Sequence, residues 1–159
     1  MVTHLKVLFV CLGNICRSPA AEAVFLKCLE REGLLDAFDV DSAGTNGLHD
    51  GELADSRMRK SASSRGVNIT SRSRRVVSKD FERFDYILAM DESNLEVLNR
   101  LASKFPQKPR IRKLLDYAPD IGVNDVPDPY YGGKEGFEQV MDLLEVACVK
   151  FLESVRNEL

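Results

Sequence analysis

The stretch from Cys11 to Ser18, with the sequence CLGNICRS, carries the residue types best suited to chemistry. It follows an apolar run typical of a buried strand and precedes the periodic pattern of a helix. Gly13 and Asn14 tolerate left-handed backbone, so the turn can curl and aim successive N–H groups inward. We therefore predict an anion-sized cradle at a helix N-terminus, with the Cys11 thiol at its start and the Arg17 guanidinium at its end.

The predicted phosphate-binding loop suits a cysteine nucleophile. An ordinary thiol, with a pKa of about 8.5, is only a few per cent ionised at neutral pH. A helix terminus alone stabilises a thiolate by about 0.3–1 kcal/mol. The rest of the stabilisation of the Cys11 thiolate would have to come from the loop N–H groups, Arg17 and the Ser18 hydroxyl. The predicted loop consists of Leu12, Gly13, Asn14, Ile15, Cys16, Arg17 and Ser18.

Other interpretations of the cysteines are weaker. A lone cysteine near a strand end is usually a core residue. Here the pattern Cys-x5-Arg-Ser lies between a predicted strand and a predicted helix, which favours a functional site. A zinc site at Cys11 and Cys16 would lack a second ligand pair of suitable spacing. A Walker phosphate loop is excluded because Gly133-Lys134 is followed by glutamate, and no Gly-x-Gly-x-x-Gly pattern is present. Cys28 and Cys148 fall on apolar helical stripes and are predicted core residues.

The leaving group of a phosphate monoester needs a proton, and with only two histidines a carboxylic acid is the natural donor. Asp128, held between Pro127 and Pro129, is the candidate, although Asp-Pro equally often starts a turn. Asp91 is a competing carboxylate at the end of a predicted strand, where N-capping is its default role.

Several further positions have open roles at this point. Cys16 shares the loop with Cys11, so it is either a redox partner or a buried filler. Ser42 either orients Asn14 or belongs to a simple turn. His49 is an ordinary loop residue whose loop could border the pocket. The basic run of Arg72, Arg74 and Arg75 is interpreted as solvated surface.

Composition narrows the class of protein. The chain has 159 residues, the size of one domain, and 22 Lys and Arg against 25 Asp and Glu give a net charge of −3. That charge gives no electrostatic case for binding nucleic acid or an anionic membrane. No apolar run approaches the roughly 20 residues of a membrane span, and no signal peptide is evident. We therefore expect a cytoplasmic location, with the cysteines as free thiols.

Strand and helix patterns alternate along the chain, which predicts an α/β protein with a parallel sheet and helices on both faces. Ser18 is the expected N-cap of the first helix, Pro19 its first helical residue, and Gly33 its end. Strands are predicted at 6–10, 38–42, 85–90 and 111–115. Helices are predicted at 18–33, 54–65, 92–104 and 135–157, with a long loop at 117–133.

These segments closely resemble the low-molecular-weight protein tyrosine phosphatases over nearly the whole chain. The resemblance lies in Val10–Pro19, Asp41–Thr45, Phe84–Asp91 and Asp128–Tyr131, in that order. It implies a single three-layer domain over residues 1–159, with a four-stranded parallel sheet and the phosphate-binding loop after the first strand. Two departures lie elsewhere: Gly51–Arg57 lacks the family's proline-rich run, and Ser71 stands where a histidine is common.

The resemblance also implies residue roles and a mechanism without metal or cofactor. Cys11 would attack phosphorus, Arg17 and the loop would hold the oxygens, and Asp128 would serve as general acid and then base. Asn14, Ser18 and Ser42 would support the loop, and Cys16 would be the redox partner. The substrate wall would consist of Tyr130, Tyr131 and Leu48. The implied partners are phosphotyrosine-containing proteins, with inorganic phosphate and similar oxyanions as inhibitors.

Two relatives and one non-enzymatic alternative remain to be separated. Arginine phosphatases of this fold tend to carry threonine where this chain has Ile15, whose apolar side chain favours a phenyl ring. Arsenate reductases need a further redox-cysteine pair, and here only Cys28 and Cys148 follow. A catalytically idle phosphotyrosine-binding module would lack the nucleophile or the acid, and neither is missing.

Overall fold

The computed structural model of the chain describes residues 4–106 and 109–159. Four parallel strands form one sheet in the order β2-β1-β3-β4, as the alternating pattern predicts. The strands are β1 (Leu5–Cys11), β2 (Phe38–Gly44), β3 (Tyr86–Ala89) and β4 (Arg110–Lys113). The first strand is central, so the carboxyl ends of β2 and β3 lie on either side of Cys11.

Helices cover both faces of this sheet. They are α1 (Arg17–Arg31), α2 (Ser56–Ser63), α3 (Asp80–Arg83), α4 (Glu92–Ala102) and α5 (Lys134–Val155). Short 3-10 turns occur at Leu35–Ala37, Leu114–Tyr117, Pro119–Ile121 and Arg156–Glu158. Within the described ranges, no helix is both long and apolar enough to cross a membrane.

Alternation along β1 explains why its sequence is continuously apolar. Val7 and Phe9 pack with α1 and α5 on one face, whereas Leu8 and Val10 pack with α3 and α4 on the other. Both faces are therefore buried, as in other sheets covered by helices on two sides. Phe25 anchors the larger core, since its ring lies 5.7, 5.4 and 5.4 Å from those of Phe9, Phe38 and Phe151.

The expected start of α1 is wrong by two residues. The N-cap is Cys16 and the helix begins at Arg17, so Ser18 and Pro19 lie inside the first turn. The Ser18 side chain does not cap the helix, because its hydroxyl is taken by groups of the loop. The predicted end is confirmed: the helix stops at Arg31, and Gly33 adopts a left-handed φ of 67°.

Other differences concern short elements. Helix α3 is not expected from the sequence, because its four residues are too few to show a helical period. The strand β2 extends two residues further than predicted, to Gly44, because it pairs with β1 up to Cys11. In the predicted loop at 117–133, Pro119–Ile121 forms a 3-10 turn. Cys28 and Cys148 are buried in the core, as predicted.

Candidate active site

The loop between β1 and α1 turns its carbonyl groups outward. The carbonyls of Cys11 and Leu12 accept hydrogen bonds from the N–H groups of Thr45 and Asn46, at 2.9 and 3.0 Å. The carbonyl of Gly13 accepts from the Ser73 hydroxyl, at 2.9 Å. In the part of the chain that the structure describes, the N–H groups of residues 12–16 donate no hydrogen bond to the protein. These donors are therefore available to an anion, which is the predicted cradle.

Gly44 allows a close approach of the second strand to this loop. A Cβ atom at this position would lie 2.8 Å from the Leu12 carbonyl oxygen and 3.1 Å from the Asn14 nitrogen. Any larger residue would push the loop away from the sheet edge. The glycine of the Asp41–Thr45 segment thus has a steric role that its sequence context alone does not reveal.

Asn14 holds the loop in shape. Its backbone is left-handed, with a φ of 56°, and its side chain is buried. The amide nitrogen donates to the hydroxyls of Ser18 and Ser42, at 2.7 and 3.0 Å. The amide oxygen accepts from the backbone N–H of Arg74, at 3.1 Å. Of the two roles left open for Ser42, the structure supports the one that orients Asn14.

The Cys11 sulfur lies at the floor of the cradle, 3.0 Å from the Ser18 hydroxyl oxygen. The Ser18 hydroxyl also receives the hydrogen bond from Asn14 and lies 3.3 Å from the Ala43 carbonyl. When Cys11 is a thiolate it can only accept, so the single Ser18 proton would point at sulfur. The Ser18 hydroxyl would then be the last donor in a chain of hydrogen bonds that begins at the Asn14 amide.

The sequence did not point to Glu22, a carboxylate that lies next to Ser42 in this network of hydrogen bonds. Glu22 accepts a hydrogen bond from the Ser42 hydroxyl, at 2.6 Å. Burial raises the pKa of Glu22 above its ordinary value, and the charge of Asp41 adds to the rise, while the hydrogen bond from Ser42 opposes it. The available signal was its position one helical turn after Ser18, where a carboxylate faces the core side of the helix.

Arg17 is held in place by two hydrogen-bond acceptors. Its Nη1 donates to the Asp91 carboxylate at 2.6 Å and to the Val126 carbonyl at 3.0 Å. The guanidinium is only 3% exposed. Burial lowers the pKa of Arg17, but the charge of Cys11 and the hydrogen bond to Asp91 outweigh it, and the net pKa is raised. The guanidinium is therefore fixed in place and permanently charged at the end of the cradle.

Asp91 performs two tasks with its two oxygens. One accepts from the N–H of Asn94 at 2.8 Å, which makes Asp91 the N-cap of α4, as expected from the sequence. The other holds Arg17, and this second task was not expected. The signal available was that Asp91 follows directly after β3 at the carboxyl edge of the sheet, next to β1.

Asp128 lines the same pocket as Cys11 and Arg17. Its carboxylate is 40% exposed and lies 3.6 Å from Nη2 of Arg17. The other carboxylate oxygen accepts from the N–H of Tyr130 at 3.1 Å, which orients the group. The loop before it is tied to the sheet, because the N–H of Val126 donates to the Met90 carbonyl at 2.9 Å. An Asp-Pro turn and a placed carboxyl group are thus compatible.

The pocket above the cradle has a volume of about 110 Å³. The rings of Tyr130 and Tyr131 form one wall, 5.0 Å apart and nearly perpendicular. Leu48 and His49 line the pocket as well, so the loop of His49 does border it. The expected wall residues therefore lie together around the opening. Tyr131 is 94% exposed and Leu48 81% exposed, which places both at the rim.

Cys16 lines the pocket but differs from Cys11 in its surroundings. Burial raises the pKa of Cys16 above the ordinary thiol value, and the charges of Asp55 and Cys11 raise it further. Cys16 is therefore a neutral thiol at physiological pH. Among the described residues, no group of three His, Cys, Asp or Glu side chains is arranged to hold a metal ion.

The interpretation of the basic run as solvated surface is wrong for Arg74. Its side chain is half-buried and pairs with Asp41 and Asp80, both at 3.0 Å. Arg72 and Arg75 are exposed, as predicted. The difference arises because Arg74 lies under the loop that Asn14 organises, where two carboxylates face it. The sequence of a basic run does not show which of its side chains the fold buries.

The comparisons with known proteins agree with this geometry. The family model described as "Low molecular weight phosphotyrosine protein phosphatase" matches residues 6–159. A low molecular weight protein-tyrosine-phosphatase of Streptomyces coelicolor is 42% identical over 155 residues, covering 96% of this chain and 94% of its own length. A crystal structure of a protein tyrosine phosphatase from Entamoeba histolytica matches with a TM-score of 0.89 at 46% identity, covering 97% of this chain and 98% of that one.

A crystal structure of a Drosophila arginine phosphatase also matches, with a TM-score of 0.90 at 34% identity, covering 96% of this chain and 98% of that one. The chain belongs to the low molecular weight phosphotyrosine protein phosphatase family. It is a protein-tyrosine-phosphatase, a hydrolase whose substrates are phosphoproteins.

Proposed function

We propose that the chain hydrolyses phosphotyrosine through a cysteinyl-phosphate intermediate, without a metal or other cofactor. In the first step the Cys11 thiolate forms an S–P bond while the ester P–O bond breaks. The Asp128 carboxyl group gives its proton to the departing phenolate oxygen. The loop N–H groups and Arg17 hold the equatorial oxygens, on which charge is spread in the transition state.

In the second step a water molecule attacks the same phosphorus atom from the side that the phenol has left. The Asp128 carboxylate takes a proton from this water as the O–P bond forms. The S–P bond breaks, which returns Cys11 as a thiolate and releases inorganic phosphate. Phosphate and similar oxyanions would then act as competitive inhibitors, because they fill the same cradle.

One observation carries this proposal: Cys11, Arg17 and Asp128 line a single pocket, although Asp128 lies 117 residues along the chain from Cys11. Asp91, the competing acid, has one oxygen on the N–H of Asn94 and the other on Arg17. It is better placed to position the guanidinium than to give up a proton. Its task would be that of a positioning residue.

The test is hydrolysis of p-nitrophenyl phosphate in the presence of EDTA. Wild-type protein should be active under reducing conditions and Cys11→Ser inactive, whereas an inactive wild type would refute the phosphatase proposal. Loss of activity on adding EDTA, restored by a divalent cation, would refute the metal-free mechanism.

The acid is tested by Asp128→Ala, which should cost about 10²–10⁴ in kcat, the usual contribution of a general acid. The loss should be larger with phenyl phosphate than with p-nitrophenyl phosphate, because the less acidic phenol needs the proton more. Asp91→Asn is the comparator, and it should lower kcat/KM by the same factor for both substrates. The reverse pattern would transfer the acid role to Asp91.

Phosphoarginine is the competing substrate, since the Drosophila relative is named an arginine phosphatase. The apolar side chain of Ile15 lines the pocket and favours a phenyl ring over a guanidinium. Comparing kcat/KM for a phosphotyrosyl and a phosphoarginyl peptide decides between them. Arsenate reduction has less support, since Cys28 and Cys148 are both buried in the core.

Cys16 is proposed as the redox partner of Cys11, in a protein that works in the reducing cytoplasm. Attack of the Cys16 sulfur on a Cys11 sulfenic acid would form a disulfide and release water, sparing Cys11 from further oxidation. Mass spectrometry after mild peroxide treatment should show a Cys11–Cys16 linkage in wild type. Irreversible Cys11 oxidation at the same rate in wild type and Cys16→Ser would refute this role.

A further inference from the structure

A second cavity, of about 350 Å³, lies between α2 and the start of α5. Phe137 is fully buried at its apolar floor, and the Gly132–Gly133 segment leads into it from the active-site wall. Three basic side chains stand around it: Arg57, Lys60 and Lys134. We refer to this cavity, defined by those three cations and Phe137, as the basic groove.

Within the described ranges, two of the three cations of the basic groove, Lys60 and Lys134, have no carboxylate partner, whereas Arg57 pairs with Asp55. Both lysines are exposed. Of the residues that the structure describes, Glu138 is the one carboxylate that lines the groove, and Arg65 holds it at 2.7 Å. A local excess of positive charge on a protein of net charge −3 favours a negatively charged ligand at this place.

Arg57 connects the basic groove to the active site. Its guanidinium donates to the Tyr130 carbonyl at 3.0 Å and lies 5.6 Å from the centre of the Tyr130 ring. It also lies 4.7 Å from the centre of the Phe137 ring. The substrate wall and the floor of the groove are therefore at most about 10 Å apart, which an extended chain spans in about three residues.

We infer that the basic groove binds an acidic segment of the substrate protein within about three residues of its phosphotyrosine. This inference rests on the proposed function, because it places the phosphotyrosine in the Cys11 pocket. Asp55 pairs with Arg57 at 2.9 Å, so the acidic side chains would contact chiefly Lys60 and Lys134. The groove would thus select substrates by sequence while the cradle selects the phosphate.

The experiment compares two phosphotyrosyl peptides that differ only in having Asp and Glu, or Asn and Gln, at the flanking positions. The measured quantity is the ratio of their kcat/KM values, so that any change in the chemistry itself cancels. Wild type should prefer the acidic peptide. The double variant Lys60→Glu, Lys134→Glu should lower the ratio about tenfold, equivalent to about 1.4 kcal/mol, and added salt should shrink the difference.

The control is the double variant Lys104→Glu, Lys150→Glu, which changes the net charge equally at two exposed lysines outside the groove. It should keep the wild-type ratio. An equal fall in both double variants would mean that long-range charge, and not the groove, sets the preference. An unchanged ratio in the Lys60, Lys134 variant would also overturn the inference.

Failure of the proposed function has a different signature. Wild-type protein would then hydrolyse neither peptide nor p-nitrophenyl phosphate. The fluorescence anisotropy of the two labelled peptides with Cys11→Ser protein tests the groove without catalysis. Tighter binding of the acidic peptide that is lost on reversing Lys60 and Lys134 supports the groove. Equal binding of the two peptides refutes it.

Discussion

Asn14 allows a quantitative test of what keeps the anion cradle in shape. Its side chain makes three hydrogen bonds, to Ser18, Ser42 and the Arg74 N–H, and its φ of 56° is left-handed. The substitution Asn14→Ala removes all three bonds and leaves a residue that resists this backbone geometry. At about 1 kcal/mol per bond and about 1–2 kcal/mol for left-handed alanine, we expect the free energy of unfolding to fall by about 4–5 kcal/mol.

The matched variant is Asn14→Gly, which adopts a left-handed φ without steric cost. It loses the same three hydrogen bonds and adds up to about 1 kcal/mol of backbone entropy in the unfolded chain, so we expect a loss of about 3–4 kcal/mol. Urea unfolding followed by circular dichroism measures both variants. An m-value equal to that of wild type would show that stability alone has changed.

Both variants should also lose activity. A shift of about 1 Å in a positioned catalytic group costs about 10²-fold, so kcat/KM for p-nitrophenyl phosphate should fall by at least that factor. The reasoning is refuted if Asn14→Gly stays within about 1 kcal/mol of wild-type stability and within about threefold of its kcat/KM. Such a result would mean that the outward carbonyl contacts alone hold the loop.

Three further predictions concern charged and titratable groups. Asp91→Asn keeps an oxygen for the helix cap but removes the charge that holds Arg17, so steady-state kinetics should show KM for p-nitrophenyl phosphate rising about tenfold; an unchanged KM would contradict this. Because burial raises the pKa of Glu22, its contribution to stability is present at low pH and is lost as the pH rises above 4.5 and through the folded-state pKa. Urea titrations at several pH values should therefore show Glu22→Gln gaining stability relative to wild type as the pH rises, and a constant difference would exclude this. Burial raises the pKa of Tyr86 from 10.0 to about 12, so wild type should lose stability between these pH values, and Tyr86→Phe should lack that loss.

The sequence predicted the elements that have a strong period or a strong composition. The apolar run of β1 and the long stripe of α5 are present within one or two residues of their expected bounds. Cys11 and Arg17 could be picked out because the whole cradle is one local segment between a strand and a helix. In these cases the residues that determine the structure are neighbours in the chain.

Elements that are short, or whose side chains have more than one possible partner, were less well predicted. Helix α3 has four residues, and Asp80 at its start is held by Arg74, which also pairs with Asp41 of β2. The hydroxyl of Ser18 was expected to cap α1, but Asn14 and Cys11 occupy it instead. A side chain that could form either of two sets of hydrogen bonds forms the one whose partners the fold brings close to it.

The sequence by itself determined that an α/β protein carries a cysteine and an arginine on a loop suited to an anion. The backbone preferences of the loop residues and the period of the flanking elements are local properties, and one segment contains them all. Only the tertiary structure decided that Asp91 grips Arg17, that Asn14 bonds to Ser42, and that Asp128 faces the same pocket. These contacts depend on the strand order β2-β1-β3-β4, which brings the carboxyl ends of β2 and β3 to either side of Cys11. An alternating pattern of strands and helices implies parallel strands, but many strand orders satisfy it.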